Sequence, residues 1–425
     1  MITLHDRLLA HAEHPRAVPW TIRLHSGFSS NALARAYTLF APPTPEAARS
    51  VLHRLHNAVV LSSPAAAELE APVEADRLEP LLSQLRSVHH VGIFLAGEPI
   101  RPTGRTFDLP SVDDLAPAGE GLAAGLDIGG TGMKACVVQD GVAIRAASAP
   151  TWPDGAHGID SLVNRARALL VEVAAGAPVG SLGIGFASPM GVDGRVLELS
   201  TTMREKVGDL AAFDGFAQRV AQHIVSGPVA MFNDLANLGR HLSARGERRF
   251  VRLQIGTSFG GCWIDSNGTV FATEMGRLVV DAAPEALPHP YLPIAGAARS
   301  YLSTRGVADE LGRRLGRPLD PRAVGHTLRE RLAEGHPAAL GTLDHLAVAL
   351  RGVVEELHAI LAGVTAVECG GSMLQGPAGK GLSARLTGLP VDLRISSQPG
   401  HDGAVAAAMA PRVEAPLKGL KRVSA

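Results

Sequence analysis

Along the second half of the chain and well before it, short apolar runs end in glycine turns and alternate with stretches whose apolar positions recur every three to four residues. Residues 125–138 (GLDIGGTGMKACVV) and 251–264 (VRLQIGTSFGGCWI) each read as a strand, a glycine turn and a second strand. Residues 161–175 and 344–362 carry helical periodicity. Strands alternating with amphipathic helices predict an α/β architecture. Before residue 97 the signals are weaker. WTIRLHSGF (20–28) and HHVGIFLAG (89–97) read as strands, and TPEAARSVLHRL (44–55) as a helix with Thr44 as N-cap and Pro45 in its first turn. A further helix is expected over 75–87, and NALARAYTLF (31–40) reads as a helix joined to 44–55 by APP. The segment 97–121 mixes Pro, Gly and acids without an apolar period, which predicts a linker. The expected division is a small α/β domain over 1–96, a linker over 97–121, a main domain over 122–411 and a tail over 412–425.

Composition narrows the function. The chain has 425 residues, 40 Lys plus Arg against 41 Asp plus Glu, and a formal net charge of -1. Residues 1–120 hold 10 Arg, no Lys and 13 acids, a net of -3, so a DNA-reading helix pair in that part lacks its electrostatic footprint. No nucleic-acid partner is expected. No apolar run approaches the roughly 18 residues of a membrane span, and a cytoplasmic protein is the expectation. Cys136, Cys262 and Cys369 have no C-x-x-C spacing, which predicts buried reduced thiols. Eight His before residue 97 show no ligand spacing and read as surface or capping residues.

The candidate chemistry is phosphate handling. Gly129, Gly130, Thr131 and Gly132 between two strands let the main chain approach a phosphate, and Asp127 at the strand end is placed to hold magnesium through water. A tight structural turn explains the same glycines equally well. The second hairpin carries Gly256, Thr257, Ser258, Gly260 and Gly261, so that two hairpins facing each other across a cleft could grip a polyphosphate. VECGGSML (367–374) ends a strand in Gly370 and Gly371, where a base or ribose could lie against bare backbone. In PVAMFNDLAN (228–237) a strand delivers Asn233 and Asp234 to its carboxyl end. There a carboxylate can take the proton of an attacking hydroxyl, or either residue can cap the next helix.

The order and content of these segments resemble the ROK family (repressor, open reading frame, kinase), whose kinases have the two-lobed actin-like, hexokinase-like fold. The resemblance covers about residues 122–411. DIGGTGMK, which includes Lys134, resembles the first phosphate motif; LGIGFASPMG (182–191), with Ser188 and Pro189, the sugar-side loop; FND the catalytic loop; and IGTSFGG the second phosphate motif. ATEMGRLVVD (272–281) resembles the substrate motif, ECGGSM the adenosine segment and HDGAVAAA (401–408) the closing helix. The resemblance implies two lobes closing on ATP and a sugar, with Asp234 as general base, Asn233 and Glu274 on sugar hydroxyls and Asp127 near Mg2+. A homodimer is usual for the family.

The chain also departs from that pattern. The stretch PHPYLPIAGAARSYLS (288–303) lacks the cysteines of the family's zinc site, so no zinc is expected, and the branch that includes polyphosphate-using glucokinases is similar, which adds polyphosphate as a possible donor. On the sugar side Arg277 stands where a His is expected, Arg299 where a Glu is, and Met203 where an Asn is. Losing hydroxyl-binding groups disfavours an ordinary hexose, and arginines can grip an anion instead. The expected activity is ATP-dependent transfer of a phosphoryl group to a hydroxyl of a sugar, sugar derivative or polyol. The alternatives are a ligand-sensing regulator, which needs a basic recognition helix, and a non-catalytic homologue, in which the arginines are surface residues.

Overall fold

The computed structural model of the protein describes residues 1–25, 35–62, 66–89, 92–96, 122–140, 142–153, 155–190, 194–361, 363–396 and 402–409. The chain falls into two compact units. One comprises Met1–Asp108, Phe250–Gly261 and Thr273–Pro399, and the other Leu109–Arg249, Cys262–Ala272 and Gly400–Ala425. The segments expected as a linker and a tail lie outside the described residues.

The first unit opens with α1 (Leu4–Ala12), β1 (Val18–His25), β2 (Arg35–Ala41), α2 (Pro45–Ser62), β3 (Ala66–Glu70), α3 (Ala75–Val88) and β4 (Gly92–Leu95), whose strands form one sheet in the order β2-β1-β3-β4. Strand β1 alternates as its sequence does: Trp20, Ile22 and Leu24 are buried, and Trp20 Nε1 donates to Ala41 O at 3.1 Å. Helix α2 starts as expected, with Thr44 Oγ1 accepting from Ala47 N at 3.3 Å. The helix expected over 31–40 is instead strand β2 from Arg35 onward, with 31–34 outside the described residues. Good helix formers there yield to alternation: RAYTLFA pairs antiparallel with β1 over its whole length, which burial on one face of a sheet rewards and local propensity does not oppose strongly. Over the described residues 35–41 the first helix of the expected pair is therefore not formed.

The second unit is built on β5 (Leu122–Ile128), β6 (Gly132–Gln139), β7 (Val142–Pro150), α4 (Ile159–Ala174), β8 (Val179–Phe186), α5 (Thr201–Lys206), α6 (Phe216–Ala221), β9 (Val229–Asn233) and α7 (Asp234–Ala244). Its sheet runs β7-β6-β5-β8-β9, antiparallel through the first three strands and parallel through β5, β8 and β9. Strand β5 lies inside that sheet and reads as an almost continuous apolar run because both its faces are covered. Leu126, Ile128, Leu170, Ile184 and Phe186 lie in the core on the α4 side.

A second five-stranded sheet has the order β12-β11-β10-β13-β14, from β10 (Phe250–Ile255), β11 (Phe259–Ile264), β12 (Val270–Thr273), β13 (Ala366–Gly370) and β14 (Asp392–Ile395). Helices α8 (Ala298–Leu302), α9 (Thr304–Leu315), α10 (Val324–Ala333), α11 (Pro337–Ile360) and α12 (Pro377–Ser383) complete the first unit, and α13 (Asp402–Met409) the second. Helix α11 begins seven residues before the expected 344 because His336 caps it through Nδ1, which accepts from Ala338 N at 3.1 Å, and Pro337 opens its first turn. The three cysteines are buried and none is in a disulfide, and burial pushes the Cys136 and Cys369 thiols up to about 12. Among the described residues no helix is long and apolar enough to cross a membrane.

Candidate active site

The second unit gathers the residues expected for catalysis at one end of its sheet. Strands β5, β8 and β9 are parallel, and Asp127 pairs with Gly185 while Phe186 pairs with Asn233, so Asp127 and the Asn233–Asp234 pair stand two strands, about 10 Å, apart at the same carboxyl end. Carboxyl ends of parallel strands are where open α/β sheets place ligands. Between them sits Gly185. A Cβ at Gly185 would lie 3.4 Å from Asp234 Cα and from Asn237 Nδ2, at contact distance, so the start of α7 is seated directly on β8.

Asn233 is the cap of α7: its Oδ1 accepts from Leu235 N at 3.0 Å and Ala236 N at 3.1 Å, and its Nδ2 donates to Ser188 O at 3.2 Å. The capping reading thus holds, and one amide proton of Asn233 is left for a further acceptor. Asp234 begins the helix, with Oδ1 accepting from Leu235 N at 2.9 Å. Ser188 is buried, and its Oγ accepts from Ser200 N at 3.0 Å, so the hydroxyl braces the loop. Pro189 follows it, its carbonyl accepting from Leu197 N at 2.9 Å. Met203 lies in the core of this unit, with no exposed surface, and is not a pocket residue.

The first hairpin turns tightly: Gly129 N donates to Gly132 O at 3.0 Å, Thr151 N to Thr131 O at 3.0 Å, and Thr151 Oγ1 to Gly129 O at 2.8 Å. Gly132 does not have a positive φ, and a Cβ on it would stay 3.8 Å from its nearest neighbour. Fold alone therefore does not demand glycine there, whereas close approach by a phosphate does. Asp127 pairs in register with Lys134; burial raises its carboxyl, an effect Lys134 partly offsets. A carboxylate whose charge is disfavoured by burial gains from a nearby cation, which fits a magnesium ion held through water. Helix α13 closes this end, since a Cβ on Gly403 would fall 2.5 Å from Asp127 Oδ2 and one on Gly125 1.8 Å from Ala404 O. Sequence reading did not single out Gly125, Gly185 or Gly403. For Gly125 and Gly185 the available signal was glycine inside strands, which marks close backbone approach.

The remaining candidates belong to the first unit. The second hairpin joins β10 to β11, with Gly256 N donating to Ser258 O at 2.9 Å and Thr304 N to Gly256 O at 2.8 Å; Thr257 lies between, and Gly260 within β11. A Cβ on Gly256 would be 3.7 Å from its nearest neighbour. Gly370 and Gly371 have a structural cause: a Cβ on Gly371 would meet Ile255 O at 1.9 Å and one on Gly370 would meet Arg252 Nη2 at 2.3 Å. Arg252, buried and ion-paired with Glu368, is a neighbour that sequence reading missed.

Glu274, largely exposed, precedes a single 3-10 turn, Met275–Arg277, and its Oε2 lies 3.9 Å from Arg277 Nε. Asp281 does not pair with Arg277. Its carboxylate accepts from Ile2 N at 3.3 Å, Ala283 N at 3.1 Å and the Tyr301 hydroxyl at 2.8 Å. Arg299 is half-buried on α8, its guanidinium 5.2 Å from the centre of the Tyr291 ring. The His residues expected at the surface include one that is fully buried: His56 on α2 donates through Nε2 to the carbonyl of Arg277 at 2.8 Å, and its Nδ1 lies 2.8 Å from His89 Nε2.

No family model and no curated protein matches the chain. Solved structures do. A ROK family glucokinase from Streptomyces griseus, in complex with glucose and AMPPNP, is similar over 68% of this chain and 98% of its own, at 22% identity and a TM-score of 0.53. A Listeria monocytogenes protein described as a putative N-acetylmannosamine kinase is similar over 69% and 98%, at 18% identity and 0.52. A ROK family transcriptional regulator, a homolog of the E. coli MLC protein, is similar over 68% and 77%, at 15% identity and 0.53. At these identities the likeness shows the fold, which is the two-lobed α/β one that the motifs implied. That fold carries both kinases and a regulator, so function is argued from the residues of the site.

Proposed function

We propose that the chain is an ATP-dependent phosphotransferase that moves a phosphoryl group to a hydroxyl of a sugar, sugar derivative or polyol. The observation that carries this reading is the meeting, at one end of three parallel strands, of a glycine turn whose Gly132 the fold does not require, the Asp127 carboxylate and the Asn233–Asp234 pair. In this reading Asp234 accepts the proton of the attacking hydroxyl, and the spare amide proton of Asn233 orients that hydroxyl. The backbone at Gly129, Gly130, Thr131 and Gly132, with Lys134, holds phosphate oxygens, and Asp127 holds Mg2+ through water. Gly256, Thr257, Ser258 and Gly260 form the second phosphate contact, and Gly370 and Gly371 the floor for the adenosine. Glu274, Arg277 and Arg299, with Ser188 and Pro189, belong to the acceptor side. ATP supplies the phosphoryl group and magnesium neutralises charge on it; positioning and charge compensation then account for most of the rate.

The similarity to kinases supports this reading. The regulator reading has less support, because among the described residues the segment read as its possible recognition helix is strand β2 from Arg35 onward, in a part of net charge -3. Phosphorylation of sugars, sugar acids and polyols with Mg-ATP, and with polyphosphate as alternative donor, tests the proposal directly. Asp234→Asn is expected to lower turnover by about two to four orders of magnitude while ATP affinity by calorimetry stays within about threefold. Unchanged turnover in that variant would remove Asp234 from its role.

A further inference from the structure

We propose that Arg277, Arg299 and His289 form a subsite for the anionic group of the acceptor, so that the compound phosphorylated carries a carboxylate or a phosphate besides its hydroxyls. This rests on the phosphotransferase reading. All three residues lie in the first unit, in the strand-poor stretch between β12 and α9.

The cluster is drawn together by backbone packing. A Cβ on Gly276 would lie 2.5 Å from Phe259 O and 3.4 Å from Arg299 Cβ, so the turn that ends in Arg277 packs directly on the helix that carries Arg299. From another side the His56 imidazole donates to the Arg277 carbonyl at 2.8 Å and accepts from His89, which fixes the backbone under the Arg277 side chain. Burial depresses the His289 imidazole, and Arg299 and Arg277 add to that effect; burial likewise depresses Arg299, opposed by Tyr291 and Glu274 and reinforced by Arg277 and Arg305.

Buried negative charge is in short supply here, and the carboxylate that acts on Arg299 is that of the exposed Glu274. Asp281, the nearest buried carboxylate in the sequence, is already engaged by two backbone N–H groups and the Tyr301 hydroxyl. Glu274 is 57% exposed and 3.9 Å from Arg277 Nε, a geometry in which an ion pair contributes little. Arg299 has its guanidinium against the Tyr291 ring, a contact that occupies the face of the group and leaves its edge N–H donors for a planar anion. His289 adds a neutral donor. Its Nδ1 accepts from Tyr291 N and Leu292 N, both at 3.1 Å, so the ring proton is on Nε2. Burial and the two arginines push the imidazole down to about 4, which keeps it uncharged near neutral pH. Two guanidinium groups and one N–H donor, held by packing and short of carboxylates, are a preorganised receptor for an oxyanion. A neutral hexose would leave that charge uncompensated.

Calorimetric titration of the full chain without nucleotide tests the subsite, using glucuronate, glucose 6-phosphate and glucose as probes. At least one of the two anions is expected to bind tenfold or more tightly than glucose, and to lose tenfold or more in Arg299→Gln and in Arg277→Gln. Tighter binding of glucuronate assigns a carboxylate, and tighter binding of glucose 6-phosphate a phosphate. Glucose binding as tightly as both anions, or anion affinity unchanged in both variants, would overturn the subsite. The wild-type preference needs no variant to fold. ATP affinity and ATP consumption are read separately: a chain that binds and turns over ATP but prefers glucose loses only the subsite, whereas one that binds the anions but never transfers phosphate loses the phosphotransferase reading.

Discussion

His56 has no exposed surface and both ring nitrogens engaged, one by the carbonyl of Arg277 and one by His89, so burial pushes it down to about 4 and it folds as a neutral ring. In the unfolded chain the same group titrates near 6.5. Between those values the unfolded state binds the extra proton, and stability falls as pH falls from about 6.5 to about 4, by about 1.4 kcal/mol per pH unit for each such group. His53 and His289 shift in the same direction. Glu355, raised to about 7, acts oppositely, since its carboxyl is protonated in the fold before it is in the unfolded chain, and acidification from 7 to 4.5 favours the fold. With His11 and His345 lowered as well, five such histidines stand against two raised carboxyls, Glu355 and Asp127, which leaves a net loss on acidification. His56→Gln, whose amide can both donate to Arg277 O and accept from His89, is expected to remove about one group's slope in denaturant titrations at pH 7, 6 and 5. An unchanged slope would mean that His56 is not buried as a neutral ring.

At the scale of elements, glycines at the two ends of one hairpin region have opposite causes. Gly125 in β5 is a packing residue: a side chain would strike α13 at Ala404 O and at Ala408 N, 1.8 and 2.6 Å away. Gly125→Ala should therefore destabilise by about 1–3 kcal/mol as the helix is pushed off the strand. Gly132, at the start of β6, is exposed and has room for a side chain. Gly132→Val should leave the melting temperature within about 3 °C and weaken ATP binding tenfold or more by calorimetry, because the added methyls occupy the approach of a phosphate. If ATP affinity in Gly132→Val is unchanged, the hairpin is a turn and nothing else.

At the scale of the whole molecule, the first 96 residues are bound into the first unit by buried polar contacts. Arg54 on α2 pairs with Glu356 on α11 at 2.8 Å, and Asn57 donates to Glu356 Oε2 and to Val279 O at 2.8 and 2.9 Å. Arg35 and Tyr37 on β2 both donate to Ile360 O, at 2.9 and 2.8 Å. Glu356 is fully buried and Arg54 nearly so, so Glu356→Ala leaves an uncompensated charge and is expected to cost about 3–5 kcal/mol in chemical denaturation. Glu356→Gln, which can still accept from Asn57, should cost less. A loss below 1 kcal/mol in the alanine variant would show that this network does not hold the two parts together.

Local chemistry was legible wherever neighbours in the chain settle it. The glycine hairpins, the capped start of α2, the strand that delivers Asn233 and Asp234, and the alternation that makes an α/β fold all depend on contacts within a few residues, and they could be read from residue order. Strand β2 could not be, because RAYTLFA is a tolerable helix, and only a partner of matching length in β1 decides for a strand. The burial of His56, the engagement of Asp281 by Ile2 and Tyr301, and the place of Met203 in a core likewise depend on groups tens to hundreds of residues away. Charge and hydrogen-bonding capacity are properties of a side chain, but whether they are spent internally or left for a ligand is set by what the fold packs around it. For Arg277 and Arg299 that packing supplies two histidines, a tyrosine ring and one exposed carboxylate, that of Glu274.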